Sequence, residues 1–156
     1  KKYVTKNDTI LDLGVSNPLT KIIIDSGLNV TNTQGEDLDL DQSALKKSNA
    51  TVVTAFEIFE HLLSPFEVLK NIQSDKLVAS VPLKLWFASA YRSSTDDWDR
   101  HYHEFEDWQF NWLLEKTGWK IIDSQKWTNP IKKIGVRPLL RWFVPRYYIV
   151  YAEKIK

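Results

Sequence analysis

The residues that most restrict the fold of this chain are 52–81. Two β-branched-rich apolar runs, VVTAF (52–56) and LVASV (77–81), have polar flanks and enclose SPFEVLKNI, which carries the signals of a helix start. Ser64 stands at the N-cap, Pro65 at the first helical position and Glu67 at the third, the pattern of a capping box. Phe66, Leu69 and Ile72 then recur at helical spacing. Two strands joined through a helix pair in parallel, and such crossovers are right-handed. An unbroken apolar strand needs cover on both faces, so this unit predicts an α/β sheet and excludes an all-helical or all-β domain.

The flanking sequence repeats the unit. Residues 10–13 form an apolar strand closed by Gly14, 19–26 a short helix ending at Gly27, and 29–33 a further strand. Downstream, 105–117 places Phe105, Trp108, Trp112 and Leu113 on one helical stripe, with Gly118 just past its end. Strands at 119–123 and 147–152 follow, separated by a segment with three prolines and one glycine, which suits an antiparallel edge. The expectation is one domain over residues 1–156, a doubly wound and mostly parallel sheet in three α/β/α layers, antiparallel near the C-terminus.

Composition narrows the function classes. The 156 residues carry a formal net charge of +1, so no overall attraction to nucleic acid is indicated. The absence of cysteine excludes disulfides, thiolate metal sites and cysteine nucleophiles. No apolar run approaches the length of a membrane span and the first residues lack the apolar core of a secretory signal, so a cytoplasmic protein is expected.

The segment ILDLGVSNP (10–18) begins like a nucleotide-binding loop, with Asp12 ending a strand and Gly14 following. Ser16 and Pro18 then occupy positions where further glycines would stand. A dinucleotide needs several glycines because its pyrophosphate lies against the backbone at a helix N-terminus. Asn17 and Pro18 equally fit an N-cap and first turn, so an ordinary strand-to-helix turn is the alternative.

The order of these segments resembles the class I S-adenosylmethionine-dependent methyltransferases, in particular a small bacterial type with an E-x-x-E-H-L signature. The matching pieces are ILDLG, then FEIFEHLLSPFEVLKNI, then LVASVPL, and finally HYHEF with LLEKTGWKII. Only Asp12 and Gly14 match the family's Asp-x-Gly-x-Gly-x-Gly loop, and Gln34 stands where the family has an acidic residue after its second strand. A second alignment sets QGEDL on an adenine-contacting turn, with Gly35, Glu36 and Asp37 as the matching residues.

The resemblance implies a Rossmann-like methyltransferase fold with S-adenosylmethionine as cofactor, held by Asp12, Gly14, Val15, Ser16, Gln34 and Phe56. This cofactor has no phosphate, so a loop with few glycines is less damaging to it than to a dinucleotide. Glu57 and His61, just past the 52–56 strand, are the implied catalytic residues. Methyl transfer is an in-line displacement in which alignment does most of the work. His61 is suited to take a proton from a hydroxyl acceptor because imidazole titrates near neutrality. The expected acceptor is a small molecule, with a nucleic acid as alternative, and a non-catalytic interaction module is the reading from another class.

Two further clusters stand out. His101 and His103 flank Tyr102 downstream of Asp96, Asp97 and Asp99, and two histidines at i, i+2 could share a metal with one Asp, but the spacing is common and no metal is expected. From Lys126 on, eight basic residues face the single acidic Glu153, interleaved with aromatics, a pattern that suits either a solvated edge or an anionic surface.

Overall fold

A computed structural model describes residues 2–96, 98–128 and 136–155, with the side chains of 136–138 and 141 outside that description. The helix-linked pair predicted at 52–81 is its centre. Strand β3 (Val52–Phe56) lies parallel to β4 (Lys76–Pro82), and α3 (Pro65–Asn71) connects them. β1 (Thr9–Asp12) pairs in parallel with β3 and with β2 (Asn29–Asn32), joined to β2 through α1 (Pro18–Asp25). The chain closes with α4 (Asp107–Lys116), β5 (Trp119–Trp127), α5 (Val136–Phe143) and β6 (Tyr147–Lys154). β6 runs antiparallel to both β4 and β5, which gives one six-stranded sheet in the order β2-β1-β3-β4-β6-β5. The α/β fold with its antiparallel C-terminal side is the one the sequence pattern predicts.

Side-chain alternation divides the sheet into two unlike faces. Leu11, Val53, Ala55, Leu77, Ala79, Val81 and Val150 point to one side and form the main core with Val68 and Leu69 of α3, Phe110 and Leu114 of α4, and Leu45 of α2 (Ser43–Lys47). The opposite face holds α1, and beside it an open apolar groove of about 460 Å³ lined by Ile10, Ile23, Phe56, Val78 and Ile149. The three layers are therefore uneven.

Local signals decide the helix starts, not always as expected. Asn17 caps α1 through its side chain, accepting from the N–H groups of Leu19 and Thr20, with Pro18 in the first turn as anticipated. At α3, however, Ser64 makes no side-chain cap bond. Asp39 replaces the predicted box, its carboxylate accepting from the backbone N–H groups of Leu63 and Ser64 at 2.8 Å each. Phe66 also turns outward, and Val68 takes the buried place with Leu69 and Ile72.

The α4 stripe is likewise corrected. Trp108 and Trp112 are each 57% exposed, and the buried face carries Phe110 and Leu114. Each indole finds a polar neighbour at the surface: Trp108 Nε1 donates to Glu106, and Lys116 lies over the Trp112 ring. Gly118 does end the helix, at φ +87°. The short helix α2 was not anticipated.

Asp8, buried at the start of β1, ties three segments together. Its carboxylate accepts from Thr5 N–H, from the Thr51 hydroxyl and from Lys76 Nζ. Burial alone would raise its pKa, but these bonds outweigh it and hold the carboxyl below its ordinary range. A carboxyl depressed in the folded state stabilises above the unfolded pKa and loses that contribution as pH falls. Asp8→Asn should therefore lower stability by about 1–3 kcal/mol at neutral pH. Urea titrations below about pH 4 should show the gap to wild type closing.

Candidate functional site

In an open parallel sheet, ligands bind beyond the carboxyl ends of the strands, where the strand order reverses. Here that point lies between β1 and β3, whose connections leave in opposite directions. A cleft of about 590 Å³ opens there, within the size range of small-ligand sites. It is lined by Gly14 and Ile58, by Thr33 and by Gly35, Glu36, Asp37 and Leu38, and by Glu57, His61, Trp98 and Asp99.

The loop after β1 is held from beneath. Asp12 is 2% exposed, and both carboxylate oxygens are engaged: Thr54 donates to Oδ1, while the Thr20 hydroxyl and Asn32 Nδ2 donate to Oδ2. Asp12 thus sits below the cleft and acts on it by fixing β1, β2, β3 and α1 relative to one another. Gly14 adopts φ +103°, its N–H donates to the Thr33 hydroxyl, and Asn32 donates to its carbonyl. Val15 is 58% exposed and leans towards Gly35, whose added Cβ would come within 2.9 Å of Val15 Cγ1. Ser16 is exposed on the loop.

Of the predicted cofactor contacts only Gly14 lines the cleft; Asp12, Val15 and Ser16 do not, and neither do Gln34 and Phe56. The Phe56 side chain lines the apolar groove on the opposite face, because the period of two that buries its neighbours turns it away from the cleft. Gln34 is exposed and absent from the cleft lining, while its backbone N–H donates to Glu36 Oε2. That turn presents Glu36 and Asp37 to the cleft in its place. Their signal was present in QGEDL, the segment of the second alignment.

Beyond β3 the chain turns sharply. Glu57 has φ +56°, the left-handed region, and is the one non-glycine residue there among those described. Its backbone N–H donates to the Ser80 carbonyl, and its carboxylate accepts from the Ser80 hydroxyl. Burial pushes its pKa up. A single 3₁₀ turn, Phe59–His61, follows. His61 lies at the cleft with Nδ1 2.9 Å from the Arg100 carbonyl. A carbonyl only accepts, so Nδ1 carries the proton and Nε2 offers a lone pair. Burial lowers the His61 pKa from its ordinary value.

Glu60 is fully buried, and neither carboxylate oxygen has a hydrogen-bond partner among the described residues. Its pKa is pushed up to about 9 by burial and by the nearby Glu57 carboxylate. The Glu60 carbonyl accepts from the N–H groups of Tyr102 and His103, which draws the 98–103 segment against the 3₁₀ turn. The two histidines of that segment part company. His101 packs edge-on against His61 with ring centres 5.0 Å apart, whereas His103 stacks on Phe105.

No family model matches the chain, and no curated protein matches it by sequence. Its fold is that of solved methyltransferases. The 1,6-didemethyltoxoflavin-N1-methyltransferase of Burkholderia thailandensis, crystallised with 1,6-didemethyltoxoflavin and S-adenosylhomocysteine, aligns over 96% of this chain and 72% of its own, with TM-score 0.65 and 15% identity. An S-adenosylmethionine-dependent methyltransferase from Mesorhizobium loti aligns over 94% and 91% respectively, at TM-score 0.65 and 13% identity. One from Archaeoglobus fulgidus covers 96% of this chain and 87% of its own, at TM-score 0.65 and 14% identity. At these identities the likeness is one of fold.

Proposed function

We propose that the chain binds S-adenosylmethionine in the cleft beside Gly14 and transfers its methyl group to a small-molecule acceptor lying towards His61. The observation that carries this reading is the cleft itself: the corner beyond β1 is open, and acceptor groups stand across from a glycine without side-chain bulk. The fold of the solved methyltransferases supports it.

The cofactor supplies an electrophilic methyl on a sulfonium. Glu36 and Asp37 suit its ribose hydroxyls, since a carboxylate can accept about four hydrogen bonds and Glu36 retains capacity beyond its bond from Gln34. Val15 and Ser16 border the methionine end, and Asp12 acts as a positioning residue through Thr20, Asn32 and Thr54. At the acceptor end, His61 presents a neutral Nε2 that can take a hydroxyl proton, with Glu57 beside it in the cleft lining.

Calorimetric titration with S-adenosylhomocysteine tests the reading. One site of micromolar strength is expected, weakened about tenfold or more by Glu36→Ala or Asp37→Ala, the loss of one charge-assisted hydrogen bond. No heat at millimolar ligand would leave a binding or interaction module that has the fold without the chemistry.

A further inference from the structure

From the geometry around the 3₁₀ turn we propose that Glu60, His61 and His101 bind a single divalent transition-metal cation, open towards the cleft. One ligand atom from each residue lies within 4.8 Å of the other two, and His61 Nε2 is 3.9 Å from Glu60 Oε1. Ligands of a bound zinc-like ion sit roughly 3–3.5 Å apart, so small side-chain movements would close the site.

Two independent features favour a cation there. Glu60 is a fully buried carboxyl without a hydrogen bond, and a buried polar group in that condition calls for a partner. Both imidazoles have their outer nitrogen committed: His61 Nδ1 to the Arg100 carbonyl and His101 Nδ1 to Glu104 Oε1, each at 2.9 Å. Since carbonyl and carboxylate only accept, both rings carry their proton on Nδ1 and leave the lone pair of Nε2 free of it. Metal-ligating histidines are held this way, and the same second-layer contacts raise their basicity.

Two imidazoles and one carboxylate suit zinc, cobalt, manganese or iron(II) better than calcium or magnesium. His61 lines the cleft, so the open side of the ion faces the region assigned to the acceptor and would take an oxygen ligand, a hydroxyl or a carboxylate. This link to the acceptor rests on the proposed function, but the cation site does not. With the ion bound, the His61 lone pair is occupied, and the ion rather than the imidazole would acidify a hydroxyl.

The test uses metal alone. Chelator-treated chain is titrated with Zn²⁺ by calorimetry and with Co²⁺ by visible absorption. One equivalent is expected to bind below about 10 μM, weakened by about 100-fold or more in His101→Ala and His61→Ala and by about tenfold or more in Glu60→Gln. Zn²⁺ should raise the Tm of wild type and not that of His101→Ala. Glu60→Gln keeps the buried shape without charge, so it serves if an alanine variant fails to fold. Binding only above about 100 μM, or one-site binding indifferent to His101→Ala and Glu60→Gln, overturns the proposal. S-adenosylhomocysteine titrated into the same metal-free protein separates the two ideas, because cofactor binding without cation binding sinks this one alone.

Discussion

Gly14→Val is expected to abolish S-adenosylhomocysteine binding, a loss of about 100-fold or more, equivalent to about 2.7 kcal/mol. Gly14 holds φ +103°, and a β-branched residue there is strained by about 1–3 kcal/mol. A Cβ at this position would rest 3.5 Å from Ile58 Cδ1, so the added methyls have little room except in the cleft. Strain and blockage are separable. Gly118 has φ +87° with nothing within 4 Å of an added Cβ, so Gly118→Ala carries backbone strain without touching the cleft. That variant should lose stability and bind normally. If Gly118→Ala lost binding as completely as Gly14→Val, general destabilisation would account for both.

The largest loss of stability is expected from Trp119→Ala, about 3–5 kcal/mol, a large fraction of the 5–15 kcal/mol typical of a domain. Trp119 starts β5 and is 0% exposed. Its indole N–H donates to the Leu69 carbonyl of α3, and Lys154 of β6 lies over the ring. One side chain therefore joins the last two strands to the central helix. Urea unfolding should show the midpoint fall sharply, with Trp119→Phe intermediate because most of the buried ring remains. A midpoint within 1 M urea of wild type for the alanine variant would contradict this packing role, given slopes of about 1–3 kcal/mol per molar.

Much of the fold is legible in the residues because local rules agree there. The apolar runs at β1, β3 and β4, and the Asn-Pro start of α1, allow few alternatives, and each appears where expected. The misreadings are local patterns overridden either by a partner distant in sequence or by a competing side chain of the same helix. Ser64 and Glu67 spell a capping box, yet Asp39, 25 residues upstream of Ser64, supplies the bonds. Trp108 and Trp112 make a convincing apolar stripe, but Phe110 and Leu114 fill the space against the sheet and leave the indoles their polar surface contacts.

The site divides in the same way. Gly14, Glu57 and His61 reach the cleft because their places follow from strand ends alone. Gln34 and Phe56 do not. A turn two residues long moves the acidic group from Gln34 to Glu36 and Asp37, and alternation says that Phe56 opposes Ala55 without saying which face holds the ligand. The approach of His101 to His61 was not readable at all, since 40 residues separate them and the contact depends on the Glu60 carbonyl capturing the 102–103 backbone.

Other features have a narrower bearing. Among the described residues no helix is long and apolar enough to cross a membrane. Of the basic C-terminal segment, Lys132 and Lys133 lie outside the described residues, while Leu139, Trp142 and Phe143 of α5 are exposed.

A crystal of the chain soaked with S-adenosylhomocysteine tests the central claim most directly. The account predicts the ligand in the cleft between β1 and β3, its backbone-facing edge on Gly14 and its ribose within hydrogen-bond reach of Glu36 or Asp37. Ligand density in the apolar groove beside Ile10, Phe56 and Val78, or none anywhere at millimolar concentration, would contradict it.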